Sequence, residues 1–270
     1  MTFILDNLIH FLARSQKAFP TRQFEVFKKI IENGIRTAEI QIRYGDGQFV
    51  YNEAICFTDI PLRDCDEHTT TYGKFGIGFK KAFVKEKGGN PARYFLDYLP
   101  GEKSPNIGIE SRGALNRELH NQFQFLKLFG DRKDLALTAP NGEVIKSSNE
   151  LEGLYQALLF TFSFDKEMGD LGPPRDGTAE IDLYYKEREW RLVPSTLNLR
   201  SGIIRKESES ERYLYSFKRS DVNVIVVPND ELRGEVLKYL QSFQTSTDER
   251  LKEFANAPPP IINYDDLHQW

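Results

Sequence analysis

Sulfur is scarce in this chain: there are two cysteines and two methionines in 270 residues. A pair of cysteines, Cys56 and Cys65, cannot make a disulfide framework, so stability must come from a packed core. With so little Met, that core must be built from Phe, Leu, Ile and Tyr. No apolar run approaches the roughly 20 residues that span a bilayer. The opening segment MTFILDNLIHFLARS has too short an apolar run for a secretory leader and carries Asp6. These absences predict a cytoplasmic protein without a membrane partner. Positive charge is not in excess either. The net charge is −4, from 36 Lys and Arg against 40 Asp and Glu, which removes a global basic field for nucleic acid.

Familiar chemical fingerprints are missing as well. There is no G-x-S-x-G nucleophile elbow. Gly73, Gly76 and Gly78 stand in the order G-x-x-G-x-G. That is neither the dinucleotide fingerprint nor a P-loop, which ends in Gly-Lys-Ser/Thr. Cys56, Cys65 and His68 have the spacing C-x8-C-x2-H. Structural zinc sites show paired short spacings, so no metal is expected. Cys65 and His68 are too close in sequence to oppose each other well as nucleophile and base.

What is present is aromatic and locally patterned. Phe, Tyr and Trp make up 13% of the chain, which favours strands and stacking surfaces. The stretch from Ala54 to Lys81 joins a β-rich run (AICFTDIPL) to a polar Thr58-Asp59 step, a proline stop, His68 and the glycine-rich YGKFGIGFKK. Its glycines predict a close approach to the backbone. Elsewhere, apolar residues at 24, 27, 30 and 31 predict a helix over Thr21 to Asn33, stopped by Gly34. Ile40–Tyr44 and Gln48–Asn52 flank Gly45-Asp46-Gly47 as a hairpin. Strands are predicted at Ala54–Thr58, Gly76–Phe83 (where a helix could instead begin at Lys80), Ala92–Leu99, Ala179–Val193, Tyr213–Phe217 and Val222–Val227. Helices are predicted at Asn116–Phe129, at Glu150–Phe162 with Asn149 as cap, and from Asn229 or Asp230 to Phe243. Residues 165–178 read as a loop. The order implies an α+β fold with a mixed or antiparallel sheet. Residues 1–250 would form a single domain, with 100–178 a helical insertion in the middle of the chain. Residues 251–270, with Pro258-Pro259-Pro260 followed by Ile261, Ile262, Tyr264, Leu267 and Trp270, would form a tail that docks on the domain or on a partner.

Three constellations could carry chemistry. On the strand at 179–193, alternation puts Ile181, Leu183, Tyr185, Glu187 and Glu189 on one face. Two carboxylates about 7 Å apart would then stand where a core opens into a cleft. The plainer alternative is a solvated strand end, paired with Lys186, Arg188 or Arg191. His10 interrupts an apolar run, as a satisfied core residue or as a donor to a ligand hydroxyl. Tyr72, Phe75 and Phe79 could stack on a flat ring or simply fill the core.

Together these segments resemble the AbiGi-type abortive-infection proteins of bacteria, a family of anti-phage factors and antitoxins. The likeness rests on His10-Phe11, on Cys56-Phe57-Thr58-Asp59-Ile60-Pro61-Leu62, on His68, on Tyr72 to Phe79, on Asn90-Pro91-Ala92-Arg93-Tyr94, and on Glu187-Arg188-Glu189-Trp190-Arg191. It spans residues 8–94 and, more loosely, 180–228. A second resemblance, to ADP-ribosyltransferases of the toxin type, rests on a first-strand histidine, a helix ending in I-I-E-N-G and a late E-x-E. It implies an ADP-ribosyltransferase-like fold and NAD as substrate. His10 would then hold the ribose, with Thr58 near the place of the missing Ser-Thr-Ser strand. Tyr72 or Phe79 would stack near the nicotinamide. Glu189 would stabilise the oxocarbenium, and Glu187 would orient the acceptor. The two resemblances predict an anti-phage NAD-dependent mono-ADP-ribosyltransferase that modifies a protein or nucleic acid. The alternative they allow is a non-catalytic antitoxin that silences a cognate toxin. An unrelated nucleic-acid-processing factor is a third option; Arg205-Lys206 and Lys218-Arg219 are its only basic pairs of note.

Overall fold

The computed structural model describes residues 6–12, 19–44, 48–95, 121–122, 124–125, 128, 137–167, 188–208, 210 and 212–268. Its strands are β1 (Asn7–Phe11), β2 (Ile35–Arg36), β3 (Ala38–Tyr44), β4 (Gln48–Thr58), β5 (Gly76–Lys80), β6 (Asn90–Pro91), β7 (Arg93–Phe95), β8 (Leu137–Thr138), β9 (Val144–Lys146), β10 (Asp165–Glu167), β11 (Glu189–Leu192), β12 (Ile204–Lys206), β13 (Tyr213–Tyr215), β14 (Val222–Val227) and β15 (Ile261–Asn263). Its α-helices are α1 (Pro20–Asn33), α2 (Asp66–Tyr72), α3 (Lys81–Glu86), α4 (Ser148–Phe162), α5 (Thr196–Arg200), α6 (Asp230–Gln241) and α7 (Glu249–Asn256). The chain divides into two compact units, one of Met1–Ala38, Glu53–Pro91 and Lys186–Trp270, the other of Glu39–Asn52 and Ala92–Tyr185.

The first unit is organised by a mixed sheet in the order β15-β14-β5-β1-β4-β11-β6. The β14–β15 pair is parallel, and the other pairs along this path are antiparallel. Cross-strand partners share a face, so register assigns each side chain to one face. One row runs Val224–Gly78–Ile9–Thr58–Glu189 across five strands. The adjacent row, on the opposite face, holds Ile225, Ile77 and His10, with Trp190 opposite Phe57. The second face carries the main core. Leu8, Ile55, Phe57, Ile77, Phe79, Leu192 and Ile225 meet Phe27, Ile30 and Ile31 of α1, Leu232, Val236 and Leu240 of α6, and Phe254 of α7. The first face carries a smaller cluster of Ile9, Phe11, Cys65, Val224, Val226 and Tyr264.

Helix boundaries follow local chemistry. Helix α1 has Pro at its start and ends at Gly34, whose φ of 99° suits glycine and whose N–H reaches Ile30 O. Helix α6 is capped by Asn229, which accepts from Leu232 N. For α4 the cap is Ser147, not Asn149. Ser147 and Glu150 form a reciprocal capping box, and Asn149 falls inside the first turn. Lys80 ends β5 and Lys81 begins α3, so of the two readings of Gly76–Phe83 the helix start holds, one residue after Lys80. Gln48–Asn52 and Ala54–Thr58 prove to be one strand of 11 residues. The hairpin turn at 45–47 lies outside the described residues, as do most of 116–129, the end of the strand predicted to Leu99, and 179–187 of the strand at 179–193.

The C-terminal segment adds β15 beside β14 and buries Tyr264, whose hydroxyl donates to Asp66. In the second unit β3 pairs with β4, β7 runs parallel to β10, and β8 and β9 form an antiparallel pair. Part of the predicted loop is therefore strand, because Asp165–Glu167 joins Arg93–Phe95. Ile42 and Phe162 form that unit's small core, with Tyr155, Leu158 and Leu159 against it.

Candidate functional site

The glycine-rich strand has its explanation inside the fold. A Cβ on Gly78 would stand 2.5 Å from Val224 Cγ1 and 2.9 Å from Ile9 Cδ1. One on Gly76 would meet Ile9, the His10 carbonyl and Phe11 at 3.0 to 3.3 Å. The close approach is therefore made by the chain's own side chains, which settle over β5 on the smaller-cluster face. Gly73 has a different task, closing α2 at φ 86° with its N–H on Thr69 O.

Along the same row, two strands away, the face turns polar. Thr58 is buried, and its Oγ1 accepts from Ile60 N. Its neighbour Glu189 opens β11, and Arg191 Nε donates to Glu189 Oε1 at 2.7 Å. The two side chains are only 11% and 6% exposed, so the pair is largely desolvated. Residues at i and i+2 of a strand point the same way, which is why the guanidinium reaches back to the carboxylate. On this face α2 contributes His68 and Tyr72, whose rings stack at 4.3 Å, with Phe11 5.2 Å from His68. Tyr72 packs on the cluster around Ile9. At about 4.8 Å per strand, Ile9 and Glu189 stand about 10 Å apart.

The other expected ligand contacts lie elsewhere. His10 is on the opposite face from Glu189, beside Phe57 at 5.7 Å. Its Nδ1 donates to the Cys56 carbonyl at 2.9 Å. A carbonyl can only accept, so Nδ1 carries the proton, and Nε2 is the acceptor of a neutral ring. Burial lowers the His10 pKa and favours this neutral form. Phe79 is also on the opposite face. It is 0% exposed and enclosed by Phe57, Phe83 and Phe217, so it offers no ring face to a ligand. The structure thus gathers Thr58, Tyr72 and Glu189 on one face and puts His10 and Phe79 on the other. The reason is strand parity. His10 and Phe79 alternate with Ile9 and Gly78, the residues that share a row with Glu189.

Glu187 lies outside the described residues, as do Ile181, Leu183 and Tyr185. Arg188, the residue before Glu189, has φ +42°, a left-handed conformation uncommon outside glycine. Simple alternation therefore does not carry a face through position 188. The surroundings of Cys65 disfavour its thiolate. Burial, aided by Asp64 and Asp66, pushes its thiol up to about 12, and it sits against Ile60 O. Among the described residues, no group of three His, Cys, Asp or Glu could hold a metal ion, and no helix is long and apolar enough to cross a membrane.

One arrangement has little sequence signal. Asp59, just past β4, accepts two bonds from Lys81 Nζ at 3.0 and 2.9 Å. Its backbone N–H donates to Arg188 O, and the Arg188 guanidinium stands 3.6 Å from its carboxylate. Lys81 N donates in turn to Asp6 O. Asp59 and Lys81 therefore tie the ends of β4 and β5 to the residues preceding β1 and β11. The Thr58-Asp59 step is visible in sequence. Its partners, 22 and 129 residues away, are not.

The family model described as abortive phage resistance protein AbiGi, antitoxin, matches residues 50–228, well over half of the chain. No curated protein sequence and no solved structure matches the chain.

Proposed function

This chain belongs to the AbiGi family of abortive phage resistance proteins, and we propose that it acts as an antitoxin, binding and neutralising a partner toxin protein. The observation that carries this reading is the state of Glu189. An electrostatic stabiliser of an oxocarbenium must be free to meet the cation as it develops. Glu189 is already neutralised by Arg191 at 2.7 Å, and no His10 side chain faces it across a pocket. A neutralised, half-polar sheet face suits recognition better than bond cleavage. The test is co-expression with the protein encoded beside this chain. Rescue of growth and co-purification of the two are expected. The reading fails if neither occurs.

A catalytic reading has one observation in its favour. Glu189 is largely buried beside Thr58, on the face that also holds Tyr72. On that reading the protein is an NAD-dependent ADP-ribosyltransferase acting on a macromolecule, with Glu189 as its carboxylate. NAD would then raise the melting temperature by mass action. Glu189→Gln would lower nicotinamide release by about 10²-fold or more while leaving NAD affinity nearly unchanged. The antitoxin reading expects neither a thermal shift nor nicotinamide release.

A further inference from the structure

We infer that the surface formed by Lys81, Lys85, Arg188 and Trp190 receives an acidic segment of the partner protein. This rests on the antitoxin reading and deepens it by naming a docking site and the chemistry of its occupant. The Trp190 indole is partly buried against the main core, and two ammonium groups flank it. Lys81 Nζ lies 5.5 Å from its ring and Lys85 Nζ 6.0 Å. Lys81 and Lys85 are one turn apart on α3, which brings both to the same ring. Arg188 completes the group, held beside Asp59 by its left-handed backbone and the bond from Asp59 N to its carbonyl.

Charge decides the occupant. Three cations, Lys81, Lys85 and Arg188, share this surface with one carboxylate, Asp59, which pairs with Lys81 and Arg188. Lys85 is exposed and has no acidic partner among the described residues. Arg188 is 52% exposed and meets Asp59 only at 3.6 Å. Three cations against one carboxylate leave the site with an excess of positive charge on a chain whose net charge is −4. That asymmetry favours an acidic strip on a protein over a nucleic acid. Nucleic-acid affinity is built from many phosphate contacts, on the order of 6–10, along a basic track. Here the track is three residues long, and Glu86 stands exposed on the same helix. Lys81 and Lys85 already stand over the Trp190 ring, where a stacked base would have to displace them. Two exposed cations beside a partly buried aromatic are suited to steering and orienting carboxylates.

The test uses the full chain in three forms: wild type, the double variant Lys85→Glu with Arg188→Asn, and the control Lys238→Glu on α6. Asn tolerates the left-handed backbone at 188, and equal melting temperatures check that the double variant folds. The probes are a short labelled Asp/Glu-rich peptide, a labelled single-stranded oligonucleotide of similar length, and the protein encoded beside this chain. The peptide should bind wild type in a salt-sensitive way. Its affinity should fall about tenfold or more in the double variant, with a matching loss of toxin association rate, while the control is unchanged. Tighter binding of the oligonucleotide than of the peptide overturns the proposal. So does a double variant that captures and neutralises the toxin as well as wild type, and in that case the antitoxin reading survives. A wild-type chain that captures no toxin removes the antitoxin reading and the proposal together.

Discussion

The two faces of the main sheet share their strands but differ in how they are filled. On one face, Leu8, Phe57, Ile77, Phe79 and Ile225 lie under α1, α6 and α7, in a core closed by aromatic contacts. On the other, a single row passes from Val224 over Gly78 to Ile9, then to Thr58 and Glu189. The first face is mainly apolar, with His10 among its hydrophobic residues, and holds the unit together. The second changes from apolar to ionic within about 10 Å, two strand spacings. Glycine makes that change possible, because Gly76 and Gly78 let Ile9, Phe11 and Val224 settle low over β5. Bulk therefore explains the first face apart from His10, and further chemistry has to be sought on the second or at the strand ends.

The largest effects should come from removing one member of each face's tightest contact. Phe79→Ala empties a fully enclosed site and should cost about 3–5 kcal/mol. Arg191→Ala should cost a similar amount, about 3–5 kcal/mol, for a different reason: it strands the Glu189 carboxylate without its guanidinium. The comparison sharpens with the double variant Glu189→Leu with Arg191→Met. Removing both charges should restore much of the stability that Arg191→Ala loses. Urea unfolding measures all three. If the double variant is less stable than Arg191→Ala, the pair is not a simple desolvated ion pair, and Glu189 has another duty.

Next in size is the glycine row. Gly78→Val would force a side chain into the space of Val224 and Ile9, and should cost about 1–3 kcal/mol through overpacking. The companion Val224→Ala should recover part of that loss by vacating the nearest contact, Val224 Cγ1 at 2.5 Å. A thermal melt of the single and double variants decides it. Additive losses would show that Gly78 is needed for its backbone and not for the space above it.

The sequence made the elements more legible than the site. The stripe at 24, 27, 30 and 31 located α1, and Gly34 marked its end, because both signals are local. The mixed sheet was likewise implied by the order of elements. An ADP-ribosyltransferase-like form of it remains a proposal. Face assignment was harder, since a strand's parity relative to its neighbours depends on register. Nothing near His10 announces that Ile9, not His10, lies across from Thr58. Phe79 looked available for stacking, because a G-x-G-F pattern does not reveal that three other aromatic rings converge on it. The left-handed Arg188 has no sequence signature at all, and it interrupts the alternation by which Glu189 was placed. Arg191 was visible only as one of several basic neighbours. Its guanidinium became the partner of Glu189 because strand geometry brings i and i+2 together.

A smaller effect should separate the faces by pH. Burial holds the His10 pKa below its ordinary 6.5, with the Cys56 carbonyl working the other way. As pH falls, the unfolded chain takes up this proton before the folded one. The contribution of neutral His10 is thus fully present above about 6.5 and is lost as pH falls below that, toward the folded-state value. One such group contributes a slope of at most ~1.4 kcal/mol per pH unit. In His10→Gln that part of the slope should disappear. An unchanged slope in the variant would assign the acid sensitivity to other groups and leave His10 as packing alone.

The smallest effects are expected at the C-terminal segment, which closes the second face from outside. Lys74 pairs with Asp265 at 2.6 Å, but both are well exposed, at 43% and 56%. Lys74→Met should therefore cost less than about 1 kcal/mol. Tyr264 is buried, and its hydroxyl donates to Asp66 at 2.9 Å. Tyr264→Phe keeps the ring and removes that bond, so it should cost more than Lys74→Met, on the order of 1–2 kcal/mol. The order of the two variants in urea is the measurement. If Lys74→Met is the more damaging, the segment is held by surface charge and should loosen in high salt. If Tyr264→Phe is, it is held from beneath, through the same cluster that Gly76 and Gly78 make room for, and salt should matter little.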